Sequence, residues 1–164
     1  MICTPSWVVI SIPGRTVSGR PGAMFAVRPG GSGTVNETHE VWRTVRRGTR
    51  DLPSPIVVGD HLCVVSHRPG IVTCYDVKTG KELDKKRLDG NVSASPIAAG
   101  GLIYVPNESG EVFVIRPGNE LEIVARNVAG DHGDEIFRAS ITPCGGQLLI
   151  RSDKVLYCVG REPS

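Results

Sequence analysis

No apolar run in this sequence approaches the ~18 residues of a membrane-spanning helix, so no such helix is expected. No segment carries an apolar stripe of 3.6-residue period over about ten positions, which removes long amphipathic helices. No charge of one sign dominates: 19 Lys and Arg face 17 Asp and Glu, net +2. Nothing in that balance calls for nucleic acid or an anionic membrane as a partner. The five cysteines, Cys3, Cys63, Cys74, Cys144 and Cys158, show no CxxC spacing, which excludes zinc-ribbon and thioredoxin-type sites. Cys63, Cys74 and Cys158 lie inside apolar runs, where a free Cys behaves as a small hydrophobe. The odd count leaves room for a single disulfide and leaves the redox compartment open. The opening "MICTPSWVVISIPG" has no basic n-region and is interrupted by Pro5 and Pro13. It reads as a strand that has lost its beginning, not as a signal peptide. Neither a P-loop nor a dinucleotide fingerprint is present; "RPGGSG" (28–33) reads as a turn leading into a polar linker. No nucleophile-elbow sequence occurs.

What is present is punctuation: 20 Gly and 12 Pro within a chain that is still 40% hydrophobic. That combination describes many short elements joined by tight turns. The short elements repeat. "SPIVVGDHLCVVSHRPGIVTCYD" (54–76) aligns with "SPIAAGGLIYVPNESGEVFVIR" (95–116). Ser54-Pro55-Ile56 matches Ser95-Pro96-Ile97, Gly59 matches Gly100, and Gly70 matches Gly110. A third copy lies in "ASITPCGGQLLIRSDKVLYCVG" (139–160) and a partial one in "SGRPGAMFAVRPGG" (18–31). One strand column then holds Ala26, Cys74, Val114 and Cys158, spaced by 48, 40 and 44 residues. Periods of this length with strand chemistry are those of four-stranded propeller blades. "HLCVVS", "IVTCYDV", "GLIYVP" and "EVFVIR" are near-continuous apolar runs, which suit a sheet covered on both faces.

"YDVKTGKEL" (75–83) reads as the connection between the third and fourth strands of one blade. Asp76 can accept from backbone N–H groups a few residues on, Thr79 can do the same more weakly, and Gly80 supplies a positive φ. "KEL" then begins an outer strand whose charges suit an exposed edge. The densest basic stretch, "WRTVRRGTR" with Arg43, Arg46, Arg47 and Arg50, is expected in a solvated loop, without the aromatic interleaving of a single-strand binder.

These residues resemble a blade of the pyrrolo-quinoline-quinone-like repeat propellers. That blade has a Ser-Pro head, two Gly turns around an apolar strand, a Tyr-x-x-Asp-like end, an Asp-x-x-Thr-Gly turn and a last strand ending in Trp. The likeness runs from about residue 18 to 160, most fully in the second copy. It implies an all-β fold of four-stranded antiparallel blades, about three full and one partial, in an incomplete ring. Approximate limits are 1–49 (partial), 50–90, 91–135 and 136–160 of a single partial propeller domain spanning 1–164. Trp42, Pro55, Gly59, Gly70, Asp76, Thr79, Gly80, Pro96, Gly100 and Gly110 are the structural positions of the repeat. Trp42 stands at the closing-Trp place of the first copy, where the second copy has Asp84 and the third has "NELEIVAR". Losing a fully packed Trp costs on the order of 3 kcal/mol or more, so blade contacts are expected to be less regular or weaker there. Family rings usually have seven or eight blades. The chain is therefore expected to be a fragment of a longer protein, or to self-associate if complete.

Chemistry is sparse. Quinoprotein dehydrogenases of this family hold quinone and calcium beside an adjacent Cys-Cys pair, and this chain has no such pair. The loop "VAGDHGDEIFR" offers Asp131, His132, Asp134 and Glu135 as weak candidate metal ligands; a solvated acidic turn is the favoured reading. No catalytic residue, cofactor or nucleic-acid partner is expected. The resemblance implies a non-catalytic binding or scaffold module for polypeptide partners or remaining blades. Its alternatives are part of a quinoprotein dehydrogenase and a sensor domain attached to a bacterial serine/threonine kinase. It also implies an extracytoplasmic, periplasmic setting.

Overall fold

Each short apolar run forms a strand, and the strands gather in chain order into separate sheets. The computed structural model describes residues 2–3, 8–12, 22–46, 52–130 and 133–160. The first sheet holds β1 (Ile2–Cys3), β2 (Val8–Ile12), β3 (Gly22–Val27) and β4 (Glu40–Arg46), with a single helical turn, α1 (Asn36–His39), leading into β4. The second holds β5 (Ile56–Val58), β6 (His61–Ser66), β7 (Ile71–Asp76) and β8 (Glu82–Arg87). The third holds β9 (Ile97–Ala99), β10 (Leu102–Pro106), β11 (Glu111–Arg116) and β12 (Glu122–Val128). The fourth holds β13 (Thr142–Cys144), β14 (Gln147–Arg151) and β15 (Leu156–Val159). All neighbours pair antiparallel. This is an all-β partial propeller whose sheets do not close a ring.

The apolar runs are continuous because successive side chains are buried against different neighbours. Along β6, Leu62 and Val64 pack with Val9, Met24 and Trp42 of the first sheet, while Cys63 and Val65 pack with Ile103, Val105 and Phe113 of the third. On β11, Phe113 and Ile115 face the second sheet, and Val112 packs with Phe137, Ile141 and Ile150 toward the fourth. Period 2 places alternate side chains on opposite faces. Each such aliphatic or aromatic side chain taken out of water contributes roughly 1.5–3 kcal/mol.

The repeat extends to an irregularity. A bulge interrupts the pairing just after Ala26, Cys74 and Val114, the residues of one sequence column. Two outer-strand residues oppose one there, which bends and twists each outer strand alike. The sheets are also stitched at their inner ends. Ser54 N–H donates to Ser95 Oγ at 2.9 Å, and Ser95 N–H to Ser140 Oγ at 3.1 Å.

Two expectations need correction. The copy expected to be partial, 1–49, carries four strands, because Ile2–Cys3 pairs with Val8 and Val9. The last copy has three among the described residues. The basic stretch is not a solvated loop at its start: Arg43 and Arg46 lie on β4. Arg43 donates to Glu40 at 3.0 and 2.5 Å and lies 5.1 Å over the Phe25 ring on the paired strand, while Arg46 is buried. Arg126 stacks in the same way on Phe113, at 5.2 Å. Arg47 and Arg50 lie outside the described residues.

Candidate functional site

The turns between second and third strands share one end of the sheets with the connections from each sheet to the next. A polar side chain heads this turn in the second, third and fourth sheets. Ser66 Oγ accepts from Ile71 N–H (3.1 Å), Asn107 Oδ1 from Ser109 and Glu111 N–H (3.0 and 2.9 Å), and Ser152 Oγ from Lys154 and Val155 N–H (3.1 and 2.9 Å). All three residues are buried, and the bonds hold turns that would otherwise bury unpaired amides.

The connections thread between these turns by backbone bonds. Val92 N–H donates back to His67 C=O at 3.1 Å, and Asn91 C=O accepts from Glu108 N–H ahead at 2.8 Å. One sheet later, Phe137 N–H donates back to Glu108 C=O at 3.0 Å and Ile136 C=O accepts from Asp153 N–H at 3.0 Å. His67, Glu108 and Asp153 are therefore equivalent positions of three sheets, each directly after the capping residue.

Glu108 is the centre of this face. Its Oε1 accepts from Ser93 Oγ, lies 3.4 Å from His67 Nε2 and 3.6 Å from Arg138 Nε. The Ser93 hydroxyl, then His67 and Arg138, hold its carboxyl below the ordinary range, since each favours the charged form. His67 is 6% exposed and its Nδ1 has no partner among the described residues. This trio is not a nucleophile–base relay. A relay needs the hydroxyl on the imidazole, whereas here hydroxyl and imidazole both address the carboxylate. The cluster instead ties the second sheet, the third sheet and the connection to the fourth. The sequence hid it because aligned positions do not report contact between sheets, and Ser93 and Arg138 lie in the connections; the turn in the second sheet (66–70) is also one residue longer than its counterpart (107–110). His67 and Glu108 themselves keep the 41-residue offset of Ser54 and Ser95, because the extra residue falls after His67.

Beside Glu108 an open cleft of about 500 Å³ is lined by Ser109, Gly133, Asp134, Glu135, Ile136 and Arg138. Of the metal candidates, Asp131 and His132 lie outside the described residues and Asp134 is exposed. Glu135 is engaged: its Oε2 accepts from Ser152 Oγ and its Oε1 from Tyr157 OH at 2.6 Å. These bonds hold its carboxyl below the ordinary range. Among the described residues no group of three His, Cys, Asp or Glu side chains gathers as a metal site. No helix of the described residues is long and apolar enough to cross a membrane.

The opposite face carries the turns between third and fourth strands. Asp76 Oδ1 accepts from Lys78 N–H, Thr79 N–H and Thr79 Oγ at 3.0, 2.8 and 2.8 Å. Gly80, at φ +69°, lies under the Trp42 ring; a Cβ there would meet that ring at 2.5 Å. Pro55 and Pro96 precede the inner strands β5 and β9, Gly59 and Gly100 sit in the open turns after them, and Gly70 and Gly110 end the second-to-third turns. A Cβ on Gly110 would meet Ala129 O at 2.5 Å.

Comparison with known proteins agrees with this architecture. None of the curated proteins matches the chain. Among solved structures, BamB from Moraxella catarrhalis superposes with a TM-score of 0.64 at 17% identity, over 90% of this chain and 40% of that one. Quinohemoprotein alcohol dehydrogenase from Comamonas testosteroni gives 0.52 at 18% identity, over 63% of this chain and 17% of that one. HIRA(644–1017) gives 0.55 at 15%, over 94% and 49%. These likenesses show the fold, and the chain spans less than half the length of each of those proteins. A family model described as outer membrane protein assembly factor BamB matches residues 19–125, most of the chain. The chain therefore belongs to the BamB-type family of PQQ-like repeat propellers.

Proposed function

We propose that this chain is a non-catalytic propeller module that binds polypeptide on the face of the second-to-third turns, outside the cytoplasm. The observation that carries this reading is the Glu108 cleft. Its wall combines carboxylates of Asp134 and Glu135, the Arg138 guanidinium, and the exposed apolar side chain of Ile136. Mixed charge beside an apolar side chain in an open groove suits an extended peptide better than a small molecule, which needs an enclosed, mainly apolar pocket. Family membership supports the same reading, since the model's description is that of an assembly factor. Against a quinoprotein oxidoreductase role stands the missing Cys-Cys pair; against a nucleophile–base relay stands the convergence of Ser93 and His67 on one carboxylate.

The test is site-specific photocrosslinking to a urea-unfolded outer-membrane protein supplied as probe. A photoreactive residue at Ser109 or Ile136 should give polypeptide adducts, and one at Lys81 on the opposite face should not. Equal yields at all three positions, or dye-linked alcohol oxidation on adding quinone and calcium, would overturn the proposal.

A further inference from the structure

Cys63 on β6 and Cys74 on β7 are direct partners across the pair, in the wall of the second sheet that packs on the third. Both are fully buried and their sulfurs lie 2.8 Å apart. The register fixes which kind of pair they form. At the open end of the β6–β7 pair Val77 N–H donates to Asp60 C=O at 2.9 Å. Hydrogen-bonded and non-hydrogen-bonded pairs alternate from there. Leu62/Tyr75 and Val64/Thr73 therefore exchange backbone bonds, and Cys63/Cys74 is a non-hydrogen-bonded pair. Cα atoms in such a pair are ~4.5 Å apart, within the roughly 4.4–6.8 Å span of disulfides.

We propose that Cys63 and Cys74 form a cross-strand disulfide in the second sheet, made by exchange with a small-molecule disulfide as the chain folds. The two thiols play equivalent parts, since either can donate to the other. One loses its proton to solvent, and its thiolate attacks one sulfur of the oxidant, forms a mixed disulfide and releases one small thiolate. The other then loses its proton to solvent, attacks the first cysteine's sulfur and releases the second small thiolate. Two protein thiols are oxidised and one small disulfide is reduced to two thiols. No other pair described is so placed: Cys144 opposes Gln147, Cys158 opposes Leu149, and both cysteines are exposed. Burial protects the finished bond, because a reductant must reach a sulfur to break it.

The full chain is unfolded, refolded with oxidised glutathione, blocked with N-ethylmaleimide under denaturing conditions and digested with trypsin. Arg68 precedes Pro69, so both cysteines stay in the fragment 51–78. That fragment should be two hydrogens lighter and unlabelled, while Cys144 and Cys158 are labelled. The oxidised chain should keep its strand circular dichroism and unfold at higher urea than the dithiothreitol-treated chain. Cys63→Ser and Cys74→Ser should each leave the remaining cysteine labelled. Label on both cysteines of the wild-type fragment, a bridge from either to Cys3, Cys144 or Cys158, or a cross-linked chain without strand signal would overturn the proposal.

Discussion

The junction between the first and second sheets and the junction between the second and third are closed at the same register position by opposite chemistry. Trp42 is the cross-strand partner of Ala26, and Asp84 is that of Cys74, each beside the recurring bulge. Trp42 lies over Gly80 and donates from Nε1 to Val77 C=O at 2.9 Å, and Thr44 Oγ donates to Gly80 C=O at 2.7 Å. Asp84 reaches the corresponding turn of the next sheet but accepts, its Oδ2 taking Leu121 N–H at 2.8 Å. The apolar surface that Trp42 brings from the preceding sheet is supplied at the second junction from the other side, by Leu121, which is buried with Cys74, Leu88 and Phe113. A junction needs one hydrogen bond and one apolar plug at this place, and either sheet can supply the plug. Where the missing Trp leads to the expectation of a less regular or weaker junction, Leu121 and the Asp84 bond occupy the place.

The sharpest way to break the comparison is Trp42→Ala, which empties the first junction and should cost about 3–5 kcal/mol, read as a fall in the urea midpoint. Leu121→Ala should follow at about 2–5 kcal/mol and should exceed Asp84→Ala; the reverse order would mean that the carboxylate, not the plug, closes the second junction. Third, Gly80→Ala should cost ~1–3 kcal/mol more than Gly59→Ala. Both glycines have positive φ, +69° and +58°, but a Cβ on Gly59 meets nothing within 4 Å. Equal losses would show that the Trp42 ring shifts freely. The smallest effect concerns pH. The Leu121 and Lys85 N–H groups hold the Asp84 carboxyl below its ordinary 3.8. A depressed folded pKa gives stabilisation that is complete above the unfolded value and lost as pH falls through the folded one. Asp84→Asn should therefore flatten the acid limb of the stability curve below about pH 4 and change little at neutrality. An unaltered acid limb would refute the Asp84–Leu121 bond.

Much of the fold was readable because burial on both faces leaves a simple trace. Runs such as "HLCVVS" and "EVFVIR" are apolar at every inner position, and Gly recurs where turns must tighten. The bulges were not readable, since nothing in Val41, Leu83 or Val124 marks an extra residue. Nor was the His67–Glu108–Ser93–Arg138 cluster. Its members are ordinary polar residues, separated by up to 71 positions from His67 to Arg138, and only sheet-to-sheet placement brings them together. Arg43 and Arg46 were misplaced for a related reason: charge density describes solvent exposure only when no partner is near, and Glu40 and Phe25 come near only through strand pairing.

The sequence by itself determined the central strands of the second, third and fourth sheets and the Asp76–Thr79–Gly80 turn, because these depend on side-chain period and on backbone freedom a few residues away. Only the tertiary structure decided what stands between the sheets: Leu121 as plug, Asp84 as acceptor, Glu108 as the tie, and Cys63 against Cys74. Those contacts depend on register and on sheet-to-sheet placement, and a shift of one residue would turn the strand residues among them, Cys63, Cys74 and Asp84, to the opposite face.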